Sequence, residues 1–371
     1  MSADSARAHE RDRPLVSVVL PAYNGSRTIG RTLQSLSNQD YPRTEWIIVD
    51  DGSREELLAT VDAFLDAQGR TARIIRHPSN LGISRSLNDG IQAATGEFVL
   101  IIHQDIELLT VDWLSRAAAY LESDPNIQVV TSYYGIPAVG EWSFAERAFG
   151  LIRRQFHRPP DHKREFVPFS EFKCDLVRKS TVDNLGGFAP ELRVAGEDIV
   201  LSYQIRRAGG KVLKAYDLQA IQRFTGRGET VIGNLEKEFQ FGHALGGVLR
   251  TFGAFPFREL KTSPYSRSRS LHRASQPPVA LAMLVCGLLF LIPGWLVAGV
   301  LLGVLLLARF SYYMFRLGWD FRRSVPGWPR AIAEAALASV LGVMTDFVYS
   351  AGVSTGLIRS SIRSNKKAST A

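Results

Sequence analysis

The sequence predicts an α/β domain with a mostly parallel central sheet, followed by transmembrane helices. Between Leu15 and Tyr134, apolar runs with strand character alternate with helix-periodic segments. Further on, Pro277–Ala308 contains no charged residue and is long enough to insert into a bilayer. At 371 residues the chain has room for both parts.

Composition narrows the classes of protein that fit. The net charge is +8, which suits nucleic acid, a membrane surface or a phosphorylated ligand as a partner. Two cysteines, Cys174 and Cys286, lie in dissimilar surroundings, which argues against a disulfide framework and a CxxC metal site. Residues 1–14 are charged, lack the apolar core of a signal peptide and predict a disordered tail.

The first two strand–helix units establish the pattern. Leu15–Leu20 is a continuous apolar run, as expected of a strand that is covered on both faces. It ends at Pro21-Ala-Tyr-Asn-Gly25, and we expect Ser26 to cap the helix that follows. The next strand ends at two adjacent carboxylates, Asp50 and Asp51. In α/β folds the carboxyl edge of the sheet is where ligands bind.

The following units repeat this order. Ala72–Arg76 is predicted as the third strand, and Asn80-Leu-Gly82 leads into a helix. Glu97–Ile102 is the fourth strand and stops at His103-Gln-Asp105. Another helix precedes the strand Gln128–Tyr134. A succession of strand–helix units predicts parallel strands joined by right-handed crossovers.

The strands end in acidic residues, and the glycine-rich loops that bind phosphate in many α/β proteins are absent. No GxGxxG follows the first strand, and the sequence contains no GxxxxGK[ST]. Carboxylates at strand ends can accept hydrogen bonds from a base or ribose. They can also hold a hard divalent cation that neutralises a diphosphate.

With these motifs in place, residues 15–250 resemble glycosyltransferase family 2, whose members have the nucleotide-sugar-binding GT-A fold. The resemblance is closest to membrane-anchored bacterial glycosyltransferases that build cell-envelope polysaccharides. The motifs that carry it are Pro21-Ala-Tyr-Asn24, Asp50-Asp-Gly-Ser53, Asn80-Leu-Gly82 with Arg85 and Asn88, His103-Gln-Asp105, Gly186-Gly-Phe188 and Gly196-Glu-Asp198.

The resemblance implies a role for each matching residue. Asp198 is expected to be the catalytic base, with Glu197 beside it, and Asp105 the metal-binding acid, with His103 as a second candidate ligand. Such a base takes the proton of the attacking acceptor hydroxyl, a contribution of ~10²–10⁴-fold. The divalent ion, Mn²⁺ or Mg²⁺, stabilises the leaving diphosphate. The expected nucleotide-sugar-binding residues are Pro21, Ala22, Tyr23, Asn24, Asp50, Asp51, Gly82, Arg85, Asn88 and Gln104.

Two positions depart from the family pattern. His103 stands where many relatives have aspartate, and Gln222 lies near the place of a metal-binding histidine. Either Asp105 and the diphosphate hold the ion together with water, or Mn²⁺ is preferred. His103 has the alternative of only packing at the strand end. The QxxRW signature of processive synthases is absent, which favours transfer of a single sugar.

Residues 135–170 interrupt the alternation of strands and helices. Aromatic and aliphatic side chains mix there with arginines, which predicts either an interfacial helix near the acceptor or an amphipathic helix on the core. Arg158–Arg164 is expected to form a loop over the acceptor cleft. Residues 251–276 form a basic juxtamembrane linker, whose charge favours the cytoplasmic side.

The apolar part of the sequence predicts a transmembrane hairpin over residues 277–316. As one helix, Val279–Ala308 would run ~45 Å, too long for a bilayer core without steep tilt. Pro293-Gly294 interrupts it, and arginines flank both sides, so a hairpin is preferred to one kinked helix. Residues 331–358, with Glu334 and Asp346, form either a third span or an interfacial helix pair before a basic tail, 359–371.

The sequence thus predicts an inverting glycosyltransferase in the cell membrane, multi-pass, with its catalytic domain on the cytoplasmic side. The expected donor is a UDP-, GDP- or dTDP-linked sugar, and the acceptor is lipid-linked or membrane-borne, in synthesis of an envelope polysaccharide or glycolipid. Nucleic acid is not an expected partner. Two alternatives stay open: a polyprenyl-phosphate sugar synthase, and a non-catalytic membrane scaffold with a degenerate glycosyltransferase domain.

Overall fold

The computed structural model describes residues 13–54, 56–134, 142–153, 163–192, 195–223, 229–253, 264–292, 296–325 and 327–368. Residues 1–12 of the expected tail, most of the expected acceptor loop and residues 254–263 of the expected basic linker lie outside these residues. The elements are β1 (Val16–Ala22), α1 (Ser26–Ser37), β2 (Thr44–Asp50), α2 (Leu57–Gln68), β3 (Arg73–Arg76), α3 (Ile83–Ala93), β4 (Phe98–Ile102), β5 (Ile106–Leu108), α4 (Trp113–Ser123), β6 (Ile127–Tyr134), α5 (Phe144–Ile152), β7 (Arg164–Val167), β8 (Cys174–Arg178), α6 (Lys179–Asn184), α7 (Glu197–Arg207), β9 (Lys211–Gln222), α8 (Val231–Phe252), α9 (Pro264–Phe290), α10 (Leu296–Ser324) and α11 (Trp328–Ala368).

One sheet organises the first of two compact units, residues 1–135 with 159–225. In the described residues it has nine strands in the order β3-β2-β1-β4-β8-β6-β9-β5, with β7 also paired to β9. Strands β3, β2, β1 and β4 are parallel, as the strand–helix alternation predicts. Residues Ala22 and Asp50 are register partners, so β1 and β2 end at the same edge of the sheet.

The sheet is mixed because later strands reverse direction. Strand β8 is antiparallel to both β4 and β6, and β9 pairs antiparallel with β5 and β7. The short strands β5 and β7 carry no strong sequence pattern and were not expected. The α/β fold is confirmed, and the parallel half of the sheet is the half that the apolar runs predicted.

Apolar side chains from both faces of the sheet explain why these runs fold as strands. Val19 and Ile101 from the strands pack with Leu87 of α3 and Leu201 of α7 in one core cluster. At about 25 cal/mol for each Å² of apolar surface removed from water, such burial is the main stabilising contribution.

Helix α1 begins differently from the prediction. Gly25 occupies the cap position, Ser26 is the first helical residue, and no side chain caps the helix. A Cβ at Gly25 would lie 1.9 Å from the Oε1 of Gln104, so this position must stay small.

The second unit comprises residues 136–158 and 226–371. We expected residues 15–250 to form one catalytic domain, and the structure draws the boundary elsewhere. Helix α5 lies in residues 135–170, the segment that interrupts the alternation of strands and helices. It belongs to the same unit as the C-terminal helices. Its arginines explain why: Arg153 donates to Glu238 of α8 at 2.6 Å, and Arg147 donates to Glu334 of α11 at 2.7 Å.

Arg147 of α5 and Arg153, which follows the helix, are both buried, at about 5% exposure or less. Residues 142–153 therefore pack against the C-terminal helices, and the interfacial position expected of residues 135–170 stays a prediction. Arg316 of α10 completes the arrangement by donating to the C-terminal carbonyl oxygens of Leu151 and Ile152 at 3.0 and 2.7 Å. Helix ends leave such carbonyls unsatisfied, and a cation is favourable there.

Two of the C-terminal helices are long and apolar enough to cross a membrane, over Leu296–Arg322 and Trp328–Leu357. A shorter apolar stretch, Ser275–Leu289, lies in α9. Helices α9 and α10 lie on either side of residues 291–295, and the transmembrane hairpin over 277–316 stays a prediction. Residues 331–358 lie within one continuous helix, α11, and do not form a pair of shorter helices.

The charged residues of the apolar helices are paired inside the bundle. Asp346 of α11 is fully buried and accepts hydrogen bonds from Arg309 at 2.6 Å, Tyr313 at 2.8 Å and Gln276 at 3.0 Å. An intramembrane carboxylate without such partners would be very unfavourable. This network accounts for a carboxylate in a sequence that otherwise reads as a membrane span.

Glycines set the distance between α8 and α11. A Cβ on Gly242 or Gly246 of α8 would lie 2.1 or 2.4 Å from backbone oxygens of α11. A Cβ on Gly352 or Gly356 of α11 would meet backbone oxygens of α8 at 2.2 and 2.1 Å. The two helices thus pack through facing GxxxG faces, as membrane helices often do.

This packing predicts opposite effects of alanine at two adjacent glycines. Gly246→Ala places a methyl group against the carbonyl oxygen of Val353 and should destabilise the unit by about 1–3 kcal/mol. Gly247→Ala, which meets no atom within 4 Å, should be neutral or stabilising because alanine favours helices. Thermal unfolding of the two variants in detergent measures the difference. Equal melting temperatures would contradict the close approach.

Candidate active site

The loop after β1 carries four of the predicted site residues. Pro21 and Ala22 are the buried last residues of the strand. Tyr23 follows and is 39% exposed, and Asn24 adopts a positive φ of 48°. A positive φ is uncommon for residues other than glycine, although asparagine tolerates it better than most.

The side chain of Gln104 holds this loop in place. Its Oε1 accepts from the backbone N–H of Tyr23 and its Nε2 donates to the carbonyl of Tyr23, both at 3.0 Å. Thr32 in turn donates to the carbonyl oxygen of Gln104 at 2.9 Å. Gln104, expected among the donor-binding residues, therefore links the loops after β1 and β4 through its amide.

The turn after β2 is tied to the same loop. The Asp50 carboxylate is 1% exposed and accepts from the backbone N–H of Ser53 at 2.9 Å. The Ser53 hydroxyl accepts from the N–H of Asn24 at 3.0 Å. Gly52 has φ +74°, and a Cβ there would lie 2.5 Å from the backbone of Ser79. Hydrogen bonds therefore join the loops after β1, β2 and β4 into one surface.

Asp51 is buried, at 4% exposure, and its hydrogen-bonding capacity is largely used within the chain. It accepts from the backbone N–H groups of Leu81 and Gly82 at 2.8 and 2.9 Å. It also accepts from Nδ1 of His77 at 2.7 Å. The structure thus places this predicted base- or ribose-binding carboxylate where it fixes the start of α3.

A chain of ionisable groups continues from Asp51. His77 is 6% exposed, and its second ring nitrogen lies 3.0 Å from Asp89, which also pairs with Arg85 at 2.8 Å. Arg85 itself is 56% exposed. Next to this chain lies an open pocket of about 370 Å³, lined by Gly52, Ser53, Arg76, His77 and Pro78.

Asn88 lies apart from the other predicted donor-binding side chains. Its amide exchanges two hydrogen bonds with the backbone of Phe188, both at 2.8 Å. Gly187 adopts φ +80°, and a Cβ there would lie 2.5 Å from the amide oxygen of Asn88. These contacts fix the Gly186-Gly-Phe188 turn to α3.

A second group of predicted residues gathers beyond β4. One oxygen of Asp105 accepts from Nε2 of Gln222 at 2.9 Å, and the other, Oδ1, is buried without a hydrogen-bond partner. Nε2 of His103 is likewise buried and without a partner. Burial lowers the pKa of His103 to about 4, so its ring is neutral and able to bind a metal at neutral pH.

These atoms bear on the expected divalent ion. Within the described residues, no group of three His, Cys, Asp or Glu side chains is placed to hold a metal. Asp105 Oδ1 and His103 Nε2 nevertheless offer two ligand atoms that make no other contact. They fit a site that the protein completes only in part, with water or a ligand supplying the remaining positions.

The predicted base stands at the start of α7. Gly196 adopts φ +97° at the cap, and Asp198 accepts from the N–H of Ile199 at 2.8 Å. Glu197 is 7% exposed, and its Oε2 is buried without a hydrogen-bond partner. Burial raises the pKa of the Glu197 carboxyl, and the charge of Asp198 raises it further.

Sequence reasoning missed three residues that support the site. His77 carries no pattern that distinguishes it from a loop residue. Lys173 contacts Gln222, the partner of Asp105, and is considered below. Asp175 interrupts an apolar strand, and this charged residue in an apolar run is the sequence signal that could have identified it. In the structure it is fully buried.

Asp175 fixes the turn that precedes β8. The Ser170 hydroxyl donates to its carboxylate, and the N–H of Cys174 donates at 3.2 Å. The backbone N–H of Ser170 donates to Ser202 of α7 at 3.1 Å. Through Ser170, the buried carboxylate therefore connects β8 with the helix that carries Glu197 and Asp198.

The chain is similar in sequence to a known protein family and to several known proteins. Residues 17–186 match the family model described as glycosyl transferase family 2. An uncharacterized glycosyltransferase of Haemophilus influenzae is 30% identical over 143 residues, which cover 38% of this chain and 42% of that protein. A PGL/p-HBAD biosynthesis glycosyltransferase of Mycobacterium bovis is 30% identical over 155 residues, 41% of this chain and 59% of its own length. The matches thus span about half the length of these relatives.

A solved structure extends the likeness beyond the family match. The mannosyltransferase PcManGT from Pyrobaculum calidifontis, in complex with GDP-Man and Mn²⁺, has a TM-score of 0.57 to this chain at 20% identity. The superposition covers 89% of this chain and 88% of that one. At this identity the likeness establishes the fold.

The buried ionic chain predicts a stability effect at His77. His77→Ala leaves the carboxylates of Asp51 and Asp89 without their shared partner and should reduce the free energy of unfolding by about 1–3 kcal/mol. Arg76→Ala is the control. Arg76 is 63% exposed and its distance to Asp50 is long, at 3.4 Å, so the contact is worth at most about 1 kcal/mol. Denaturant unfolding of both variants measures the two losses of stability. The interpretation fails if they are equally stable.

Burial raises the pKa of Asp175 from 3.8 to about 6. The neutral carboxyl therefore contributes stability below about pH 4, and this contribution is lost as the pH rises through 6. The shift corresponds to roughly 3 kcal/mol. Asp175→Asn cannot ionise, so the stability of the variant relative to the parent chain should increase between pH 4 and pH 7. Unfolding curves over this range measure the slope, and parallel pH profiles would refute the assignment.

Proposed function

Since residues 17–186 belong to glycosyltransferase family 2, we propose that the chain transfers a single sugar from a nucleotide-sugar donor, with inversion, to a lipid-linked or membrane-borne acceptor. The observation that carries the proposal is the set of acidic side chains left unpaired beside a hydrogen-bonded donor surface. Asp105 and Glu197 each keep a buried oxygen without a partner. Buried polar groups are usually satisfied, and unpaired carboxylate oxygens at a strand end and a helix start leave room for a ligand to supply the missing partners.

In this proposal the donor nucleotide lies against the three tied loops. Tyr23 and the pocket beside His77 offer exposed surface for a base and ribose. The backbone of the loops is already fixed by Gln104 and Asp51, so little ordering is needed on binding. A donor linked to UDP, GDP or dTDP fits this description. The fold neighbour was solved with GDP-Man, which supports the class of ligand.

The reaction then needs a base on one side of the sugar and positive charge on the other. Asp198 takes the proton of the acceptor hydroxyl as the oxygen bonds to the anomeric carbon and the bond to the diphosphate breaks. Asp105 and His103 would hold a divalent ion, Mn²⁺ or Mg²⁺, which neutralises charge on the leaving diphosphate. Glu197, with its raised pKa, stays close to Asp198 and limits the negative charge at the helix start.

The proposed location follows from the apolar helices. Helices α10 and α11 anchor the chain in the cell membrane, and basic residues flanking them favour a cytoplasmic catalytic domain. Large side chains such as Phe315, at 90% exposure, are suited to lipid contact. A membrane anchor in turn favours an acceptor held in the bilayer, as in assembly of an envelope polysaccharide or glycolipid.

The proposal predicts that Asp198→Asn keeps donor binding and loses transfer. The variant should still bind a nucleoside diphosphate in the presence of Mn²⁺, while transfer or donor hydrolysis falls by about 10²–10⁴-fold. Asp183→Asn, at an exposed carboxylate on α6, is the matched control and should keep full activity. Transfer is measured with labelled donors and membrane lipid extract.

Three outcomes separate the alternatives. Near-normal transfer by Asp198→Asn would favour a lipid-phosphate acceptor, which needs little base catalysis, and so a polyprenyl-phosphate sugar synthase. Binding without transfer or hydrolysis by the parent chain would favour a non-catalytic scaffold. If the parent chain binds no nucleoside diphosphate with either metal, the proposed function is wrong.

A further inference from the structure

Three unpaired buried atoms and one cation occupy the part of the site beyond β4. The atoms are His103 Nε2, Asp105 Oδ1 and Glu197 Oε2. The cation is Lys173, whose side chain is 20% exposed. Neither the family motifs nor the expected ligand set includes this lysine.

A contact places the Lys173 ammonium beside Gln222, the partner of Asp105, and its charge also acts on Glu197. Its Nζ lies 3.5 Å from Oε1 of Gln222, and Nε2 of the same amide donates to Asp105 at 2.9 Å. Burial raises the pKa of the Glu197 carboxyl, and Lys173 opposes the rise. The lysine therefore stands within electrostatic range of both the metal-binding acid and the start of α7.

The backbone of Lys173 is fixed, so its side chain emerges from a defined point. Its carbonyl oxygen accepts from the N–H of His103 at 2.9 Å. The preceding residue, Phe172, adopts φ +47°, a conformation that is strained for a bulky side chain. Such strain persists where the surroundings enforce it and is common at functional sites. The enforcing contacts here include Ser170 and the buried carboxylate of Asp175.

We propose that Lys173 binds the phosphate oxygens of the nucleotide-sugar donor and supplies positive charge in addition to that of the divalent ion that Asp105 and His103 would hold. This inference rests on the proposed function. A leaving diphosphate brings concentrated negative charge, and a compact ammonium is a common phosphate ligand. The present partner of Lys173, Glu171 at 2.9 Å, does not prevent this, because an ammonium has three N–H donors to share.

Lys173 differs in this respect from Arg85, the cation that the family resemblance assigns to the diphosphate. Arg85 pairs with Asp89, in the group around Asp51. Lys173 is instead associated with the acids of the second group. A diphosphate that approaches Asp105 would come near the ammonium, because both groups contact Gln222.

The test compares ligands with and without phosphates on the full chain in detergent. Isothermal titration with UDP, GDP and dTDP, and with uridine, guanosine and thymidine, is run for the parent chain, Lys173→Met, Lys173→Gln and Lys173→Arg. Each titration is repeated with Mn²⁺ and with EDTA. Lys179→Met is the matched control, since Lys179 pairs with Asp183 on the surface of α6.

Lys173→Met and Lys173→Gln should bind the preferred nucleoside diphosphate at least about tenfold more weakly, with a larger loss in EDTA. Nucleoside binding and the melting temperature should stay unchanged, Lys173→Arg should recover most of the affinity, and Lys179→Met should match the parent chain. Equal diphosphate affinity in the parent chain and Lys173→Met or Lys173→Gln would overturn the assignment. So would an equal loss for nucleoside and diphosphate. If the parent chain binds no diphosphate, the proposed function fails first and this inference with it.

Discussion

The buried carboxylate of Asp51 holds together the loops at the carboxyl edge of the parallel strands. A desolvated charge needs hydrogen bonds, and it obtains them from the turn before α3 and from His77. Three separate segments, the end of β2, the residue after β3 and the start of α3, therefore share one position. The adjacent turn and the loop after β1 are then joined by Ser53 and Gln104. A preorganised surface loses little entropy when a ligand binds.

The two parts of the site differ in how far their polar groups are satisfied. Around Asp51, hydrogen-bonding capacity is used within the chain, so these residues shape the site. Around Asp105, buried atoms of His103, Asp105 and Glu197 stay without partners. A buried polar atom without a partner costs free energy, which a bound ligand, ion or water would offset. The two groups therefore differ in their hydrogen bonding, although both are acidic in sequence.

In the helical unit too, buried charged residues are stabilised by partners within the chain. Its charged residues are placed as pairs, Arg153 with Glu238, Arg147 with Glu334 and Arg309 with Asp346. Removing one partner from such a pair would leave an uncompensated buried charge. Facing glycines then bring α8 and α11 into backbone contact. Helix α5, far away in sequence, becomes part of this unit because its arginines complete the pairs.

The sequence by itself determined the parallel half of the sheet, the acidic strand ends and the apolar C-terminal helices. These features arise from local patterns: apolar runs, turn residues and the absence of charge. Tertiary structure alone decided that α5 packs with the C-terminal helices, and that Glu334 pairs with Arg147 and Asp346 with Arg309. It also decided that the hydrogen-bonding capacity of Asp51 is largely used by His77 and its neighbours. It likewise decided that Lys173 and Asp105 share Gln222 as a neighbour. Such partners lie far apart along the chain, and no local pattern records which of them meet once both are buried.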